Sequence, residues 1–110
     1  MADGDPFQAA REKLEAAVFE GRGETDPALR RAAAAGRGLA PPWESYVDTV
    51  RRHAYRVRDE DVEALRRAGC TEDQIYEMTV CAALGAAGER LRAALQALAE
   101  AEDEHAPAQR

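Results

Sequence analysis

The stretch Thr71-Glu-Asp-Gln-Ile-Tyr-Glu-Met-Thr-Val-Cys-Ala-Ala-Leu-Gly-Ala-Ala-Gly88 decides how this chain reads. Its first four residues form a helix-starting box: the Thr71 hydroxyl can accept from the Gln74 N–H while the Gln74 side chain reaches back to Thr71. Glu72 and Asp73 add negative charge where a helix presents its positive end. From Ile75 to Gly88 nearly every residue is apolar or small, so this half of the helix is expected to be surrounded by protein. Gly85 and Gly88 each lower helix propensity by up to about 1 kcal/mol, a cost best explained by another backbone passing very close. Beyond Glu89 only Leu91, Leu95 and Leu98 keep one stripe. Glu100 to Arg110, acidic and interrupted by Pro107, is expected to be a flexible tail.

The rest of the chain agrees with an all-α fold. Of 110 residues, 25 are alanine and only seven are Val or Ile, which favours helices and starves strands. That length supports one small domain. The formal charge of -6, with no basic run beyond Arg51, Arg52 and Arg56, argues against nucleic acid and against an anionic membrane surface as partners. No apolar stretch reaches the about 18 residues of a membrane span, and the start Met-Ala-Asp-Gly-Asp-Pro is acidic, so a cytoplasmic protein is expected. Cys70 and Cys81 do not form a Cys-x-x-Cys pair and read as buried or idle thiols. Large apolar side chains are few for this length, so the core is expected to be completed by a second copy, as a homo-oligomer.

Working outward, three regions follow: N-terminal helices and linker over 1–40, a helical core over 41–99, and the acidic tail over 100–110. The first helix is expected to start with Asp5 as N-cap and Pro6 at its first position, burying Phe7, Ala10, Leu14, Ala17 and Val18. Thr25 and Asp26 before Pro27 open a second helix that Gly36 closes, and 36–42 is a linker. A third helix begins near Pro41-Pro42. Its residues Trp43, Val47, Val50, Ala54 and Val57 make one buried stripe, with Tyr46 and His53 on its flank and Glu44, Asp48, Arg51 and Tyr55 on the wetter face. Asp48 can pair with Arg52 one turn on. A fourth helix, capped by Asp59, runs through Val62 and Leu65 to a stop at Gly69.

The segment from Asp59 to Ala86, with Ala64-Leu-Arg-Arg-Ala-Gly-Cys-Thr-Glu-Asp-Gln-Ile75 at its centre, resembles the carboxymuconolactone decarboxylase and alkylhydroperoxidase D-like superfamily. The shared pattern is a helix, a glycine stop, a capped restart and an alanine-rich helix bearing a glutamate. The resemblance implies an all-helical domain assembled as dimers, trimers or hexamers, and in many members a thiol peroxidase. That activity depends on a Cys-x-x-Cys-x-x-x-His motif ending eight residues before the glycine of the turn. Here those positions are Ala54, Val57 and Asp61. Without a thiolate to attack peroxide and a second thiol to resolve the sulfenic acid, redox turnover is not expected. The resemblance thus implies an alkylhydroperoxidase D-like fold without its redox centre.

Several polar residues remain as candidates. Glu77 is the one full charge between Asp73 and Glu89, and would either carry a raised pKa suited to proton transfer or pair with an arginine from elsewhere. His53, with Tyr46, could face a pocket and act as acid or base. Trp43 and Tyr76 are candidate walls for a small apolar or carbonyl-bearing ligand. Glu102-Asp-Glu-His105 has the spacing of a carboxylate-bridged metal site, but without a second such pair it reads as a solvated charge run, and no metal is expected. No nucleotide, serine-hydrolase or zinc motif occurs, so no cofactor is expected. Two readings stand: a redox-inactive binding or interaction module, or a cysteine-independent acid-base enzyme of the lactone decarboxylase type using His53, Glu77 and Tyr46.

Overall fold

The computed structural model describes residues 7–105, with side chains through Glu104. Five α-helices fill it: α1 Gln8–Glu20, α2 Pro27–Ala35, α3 Trp43–His53, α4 Asp59–Arg67 and α5 Glu72–His105, with a 3-10 turn at Ala54–Arg56. No strand occurs among the described residues. The expected Asp5 and Pro6 cap lies outside them.

Helix α5 is the axis. The Thr71 hydroxyl accepts from Gln74 N at 3.1 Å and the Gln74 side-chain oxygen accepts from Thr71 N at 2.9 Å, so both halves of the starting box form. The helix then runs 34 residues, about 51 Å, without a break at its glycines. Helices α2 and α3 pack against its first half, and α1 and α4 touch it at the sides. The core is Ala33 from α2, Tyr46, Val47 and Val50 from α3, Leu65 from α4, and Ile75, Met78, Cys81 and Ala82 from α5.

The glycine expected to admit another backbone does so. A Cβ on Gly85 would lie 2.1 Å from the Ala34 carbonyl oxygen, so only glycine lets α2 come this near. Helix α2 is placed for that contact by its own ends. Asp26 accepts from Ala28 N at 2.8 Å, and Gly36, in the left-handed region at φ 74°, donates its N–H to Ala32 O and Ala33 O.

Five local expectations need correction. Helix α3 ends at His53 rather than continuing to Val57, and the chain tightens into the 3-10 turn, leaving Ala54 exposed and Val57 half-buried. Helix α1 buries no residue: it turns Arg11, Glu15, Val18 and Phe19 inward and leaves Phe7, Ala10, Leu14 and Ala17 outside. The cap of α4 is Asp61, which reaches back to the Arg58 N–H at 2.9 Å, not Asp59. Arg51 is not on a wet face, since its side chain spans from α3 to α2 and α5. Finally, the segment from Glu100 to His105 is helical, and residues 106–110 lie outside the described ones.

The result is elongated, 66 × 28 × 20 Å, with a radius of gyration of 17.5 Å against about 13 Å for a compact domain of this length. The excess comes from α5, whose residues from Glu89 to Glu104 are all exposed. No helix among the described residues is long and apolar enough to cross a membrane.

Candidate functional site

Glu77 sits on the inward flank of α5 and receives the α1–α2 loop. Its carboxylate accepts from Glu24 N at 2.7 Å, Thr25 N at 2.9 Å and the Thr25 hydroxyl at 2.6 Å. Arg30, whose residue is only 2% exposed, places Nη1 3.7 Å from the same carboxylate, donates Nε to Phe19 O at 3.1 Å and donates Nη2 to Gly21 O. Burial pushes the Glu77 carboxyl up, but the Thr25 hydroxyl, the two loop N–H groups and the Arg30 charge outweigh it and hold the group below its ordinary value. Of the two roles open to Glu77, it takes the paired one. It is a latch that ties the loop to α5, not a proton donor with a raised pKa.

The other candidates do not converge on it. Tyr46 is buried and its hydroxyl meets Thr79 Oγ1 at 2.7 Å, while that oxygen donates its own proton to Ile75 O at 2.6 Å. Tyr46 is therefore the donor in the pair, and its proton is already used. Trp43, half-buried, packs edge-on against Tyr46 with ring centroids 6.5 Å apart. His53 is exposed at the end of α3 and packs edge-on against Tyr55, with ring centroids 5.9 Å apart. Tyr76 is 71% exposed on the far side of α5. A cleft of about 200 Å3 carries Tyr46 with Thr49, Asp61 and Leu65, and Trp43, His53, Tyr76 and Glu77 are not among its walls. The expected acid-base constellation is not assembled.

Both thiols are free, Cys81 buried in the core and Cys70 half-buried. Burial raises both above the ordinary thiol value; at Cys81 the nearby Arg30 charge opposes that rise and Glu77 adds to it. Neither has the electropositive, accessible setting that makes a reactive thiolate. No group of three metal-ligating side chains occurs among the described residues, and the side chain of His105 lies outside them.

What the fold does assemble is an uncovered apolar face. On α5 the residues Tyr76, Ala83, Ala87, Leu91, Ala94 and Leu98 are exposed and recur every three or four positions, with half-buried Val80 in the same line. No charge interrupts this line from Tyr76 to Leu98. Leu91 and Leu95 are each 38% exposed and Leu98 is 57% exposed. Helix α1 runs antiparallel alongside, so that Leu14 joins Leu84, Ala87 and Leu91 around a groove of about 170 Å3, and Gln8 lies beside Leu95 and Ala99 further along. The signal was present in the sequence as an apolar helix half expected to be surrounded; the monomer surrounds it on every side but one.

Compared with known proteins, the chain matches no family model, no curated protein and no solved structure.

Proposed function

We propose that this chain is a self-associating helical interaction module of the alkylhydroperoxidase D-like type that has no redox centre. The observation that carries the reading is the charge-free line from Tyr76 to Leu98, which a soluble monomer has no reason to expose. The line is about 33 Å long. With α1 beside it the face is about 20 Å wide; the part from Ala87 to Leu98, about 17 Å long, offers roughly 330 Å2 per copy, the size of a small, weak interface.

A second copy is the occupant that the charges favour. Arg90 and Arg92 precede Leu95, while Glu100, Glu102, Asp103 and Glu104 follow it. Antiparallel pairing of two α5 helices about Leu95 sets Arg90 near the partner's Glu100, whereas parallel pairing sets like charges together. Two adjacent α1/α5 pairs joined this way form a four-helix bundle. The family-level part of the reading is supported by α4, the turn at Gly69 and the capped restart at Thr71. Its redox-inactive part is supported by Ala54 and Val57 in place of thiols and by the buried state of Cys81.

The test is the mass of the full chain in solution, by sedimentation equilibrium. A dimer or larger symmetric assembly is expected at micromolar concentration, and Leu91→Glu with Leu95→Glu should return it to monomer with helical circular dichroism retained. A wild-type monomer would refute self-association. Reduction of a hydroperoxide by a dithiol, abolished by Cys81→Ser, would overturn the redox-inactive part.

A further inference from the structure

A second feature lies on a neighbouring flank of α5 and shares Arg90 with the contact between copies proposed above. Where α2 ends, α3 ends and α5 passes, a cleft of about 510 Å3 is walled by four arginines, Arg37, Arg51, Arg52 and Arg90, with two acids, Asp48 and Glu89. Two formal positive charges remain there in a chain whose net charge is -6. That volume lies within the range of small-ligand sites. We propose that this cleft binds a small soluble molecule through a phosphate group.

Two of the arginines are built in. Arg51, its side chain 14% exposed, donates Nη1 to Ala34 O and Nη2 to Glu89 Oε1 at 2.5 Å, and Arg90 donates Nη2 to Arg51 O at 2.5 Å. These bonds do two things. They cover carbonyls at the ends of α2 and α3, whose partial negative charge would otherwise repel an anion. They also fix the two guanidiniums while leaving most of their five N–H donors uncommitted. Gly36 is part of the construction, because a Cβ there would fall 2.3 Å from Arg51 Nε.

The other two are available. Among the described residues Arg52 is bound only to Asp48, at 2.8 Å across one helical turn, with both side chains more than half exposed, a pair worth little in water. Arg37, exposed between Gly36 and Gly38, makes no ion pair or side-chain hydrogen bond within the described residues. Two anchored and two movable guanidiniums around one concavity suit a phosphate, which accepts paired N–H bonds and carries up to two charges. A monocarboxylate leaves part of that charge uncompensated. The site escapes a reading of the sequence because its arginines come from the linker and from α3 and α5, up to 53 positions apart.

Calorimetric titration of the full chain with inorganic pyrophosphate at constant ionic strength tests the proposal. Saturable binding of one pyrophosphate per chain is expected, weakened at least tenfold in Arg37→Gln with Arg52→Gln, neither of which holds a helix end. The same double change at Arg56 and Arg67 should leave the affinity within twofold. Absence of saturable binding, an unchanged affinity in the Arg37/Arg52 variant, or an equal loss in the Arg56/Arg67 variant would each overturn it. Succinate binding as tightly as pyrophosphate would reject phosphate as the recognised group. Capture by phosphatidylglycerol vesicles with no pyrophosphate binding would reject a soluble ligand.

Discussion

The two halves of α5 are one continuous helix in opposite circumstances. From Ile75 to Ala86 it turns Met78, Cys81, Ala82 and Ala86 into α2 and α3, and these are at most a few per cent exposed. From Glu89 onward it carries Leu91, Leu95 and Leu98 with nothing laid over them but the edge of α1. The side chains that α5 puts into the core are small apart from Met78 and Ile75, whereas its exposed half carries the larger leucines. Stability of the single chain therefore resides in the first half, and the second half leaves apolar surface exposed.

That contrast predicts unequal responses to the same kind of change. Met78→Ala removes a fully buried side chain from the centre of the core and should destabilise by about 3 kcal/mol in chemical denaturation. Leu95→Ala should change the stability of an isolated chain by less than about 0.5 kcal/mol. It should instead weaken the concentration dependence of the melting temperature, because a group that acts only in an assembly is felt through mass action. Equal losses for the two substitutions would erase the distinction between the halves.

The next largest effect belongs to the latch on the first half. Glu77→Gln removes a charge that accepts three hydrogen bonds and faces Arg30, and should destabilise by about 2 kcal/mol. The acid dependence gives a sharper readout. The folded carboxyl is held below its ordinary value of 4.5, so between the folded and unfolded values the unfolded chain binds the extra proton. Its contribution is complete above about pH 4.5 and is lost as pH falls through the lowered folded value. Denaturation midpoints followed from pH 6 to pH 3 should fall for the wild type and fall less steeply for Glu77→Gln. Parallel profiles would mean that Glu77 does not carry this pH dependence.

Much of the first half was legible because its signals are local. The Thr71–Gln74 box, the Asp26-Pro27 start and the Gly36 stop are each decided within four residues, and all three form. Other features fail for one shared reason: periodicity reports that a residue has an apolar neighbour, not which face meets which partner. The spacing of Trp43, Val47 and Val50 runs on to Ala54 and Val57, but the helix stops at His53 and only Val57 is brought back against the core, from a different backbone conformation. In α1 the apolar stripe points outward except at Val18, because Arg11, Glu15, Val18 and Phe19 meet the neighbouring helices. Tyr46 and His53, seven positions apart and read as one flank, end up buried and exposed respectively. The latch on Glu77 was half legible: an isolated acid in an apolar helix announces a partner, but Thr25 and Arg30 lie about 50 positions away.

The smallest effects come from the two glycines that divide the halves, and they should differ in sign. Each glycine in a helix interior costs about 1 kcal/mol relative to alanine, so Gly→Ala starts with that gain at either position. At Gly85 the added methyl meets backbone, with the Ala34 carbonyl oxygen at 2.1 Å and its carbon at 2.6 Å, and neither can move without shifting α2. Gly85→Ala should therefore be destabilising by about 1 kcal/mol net, overpacking exceeding the propensity gain. At Gly88 the nearest atom is the carboxylate end of Glu15, 2.9 Å away, on a flexible side chain that can swing aside. Gly88→Ala should therefore be neutral or stabilising by up to about 1 kcal/mol. Urea denaturation of the two single variants at one protein concentration decides the matter. A loss at Gly88 as large as that at Gly85 would mean that α1 lies as tightly on α5 as α2 does, and that the second half of the helix is less open than its leucines indicate.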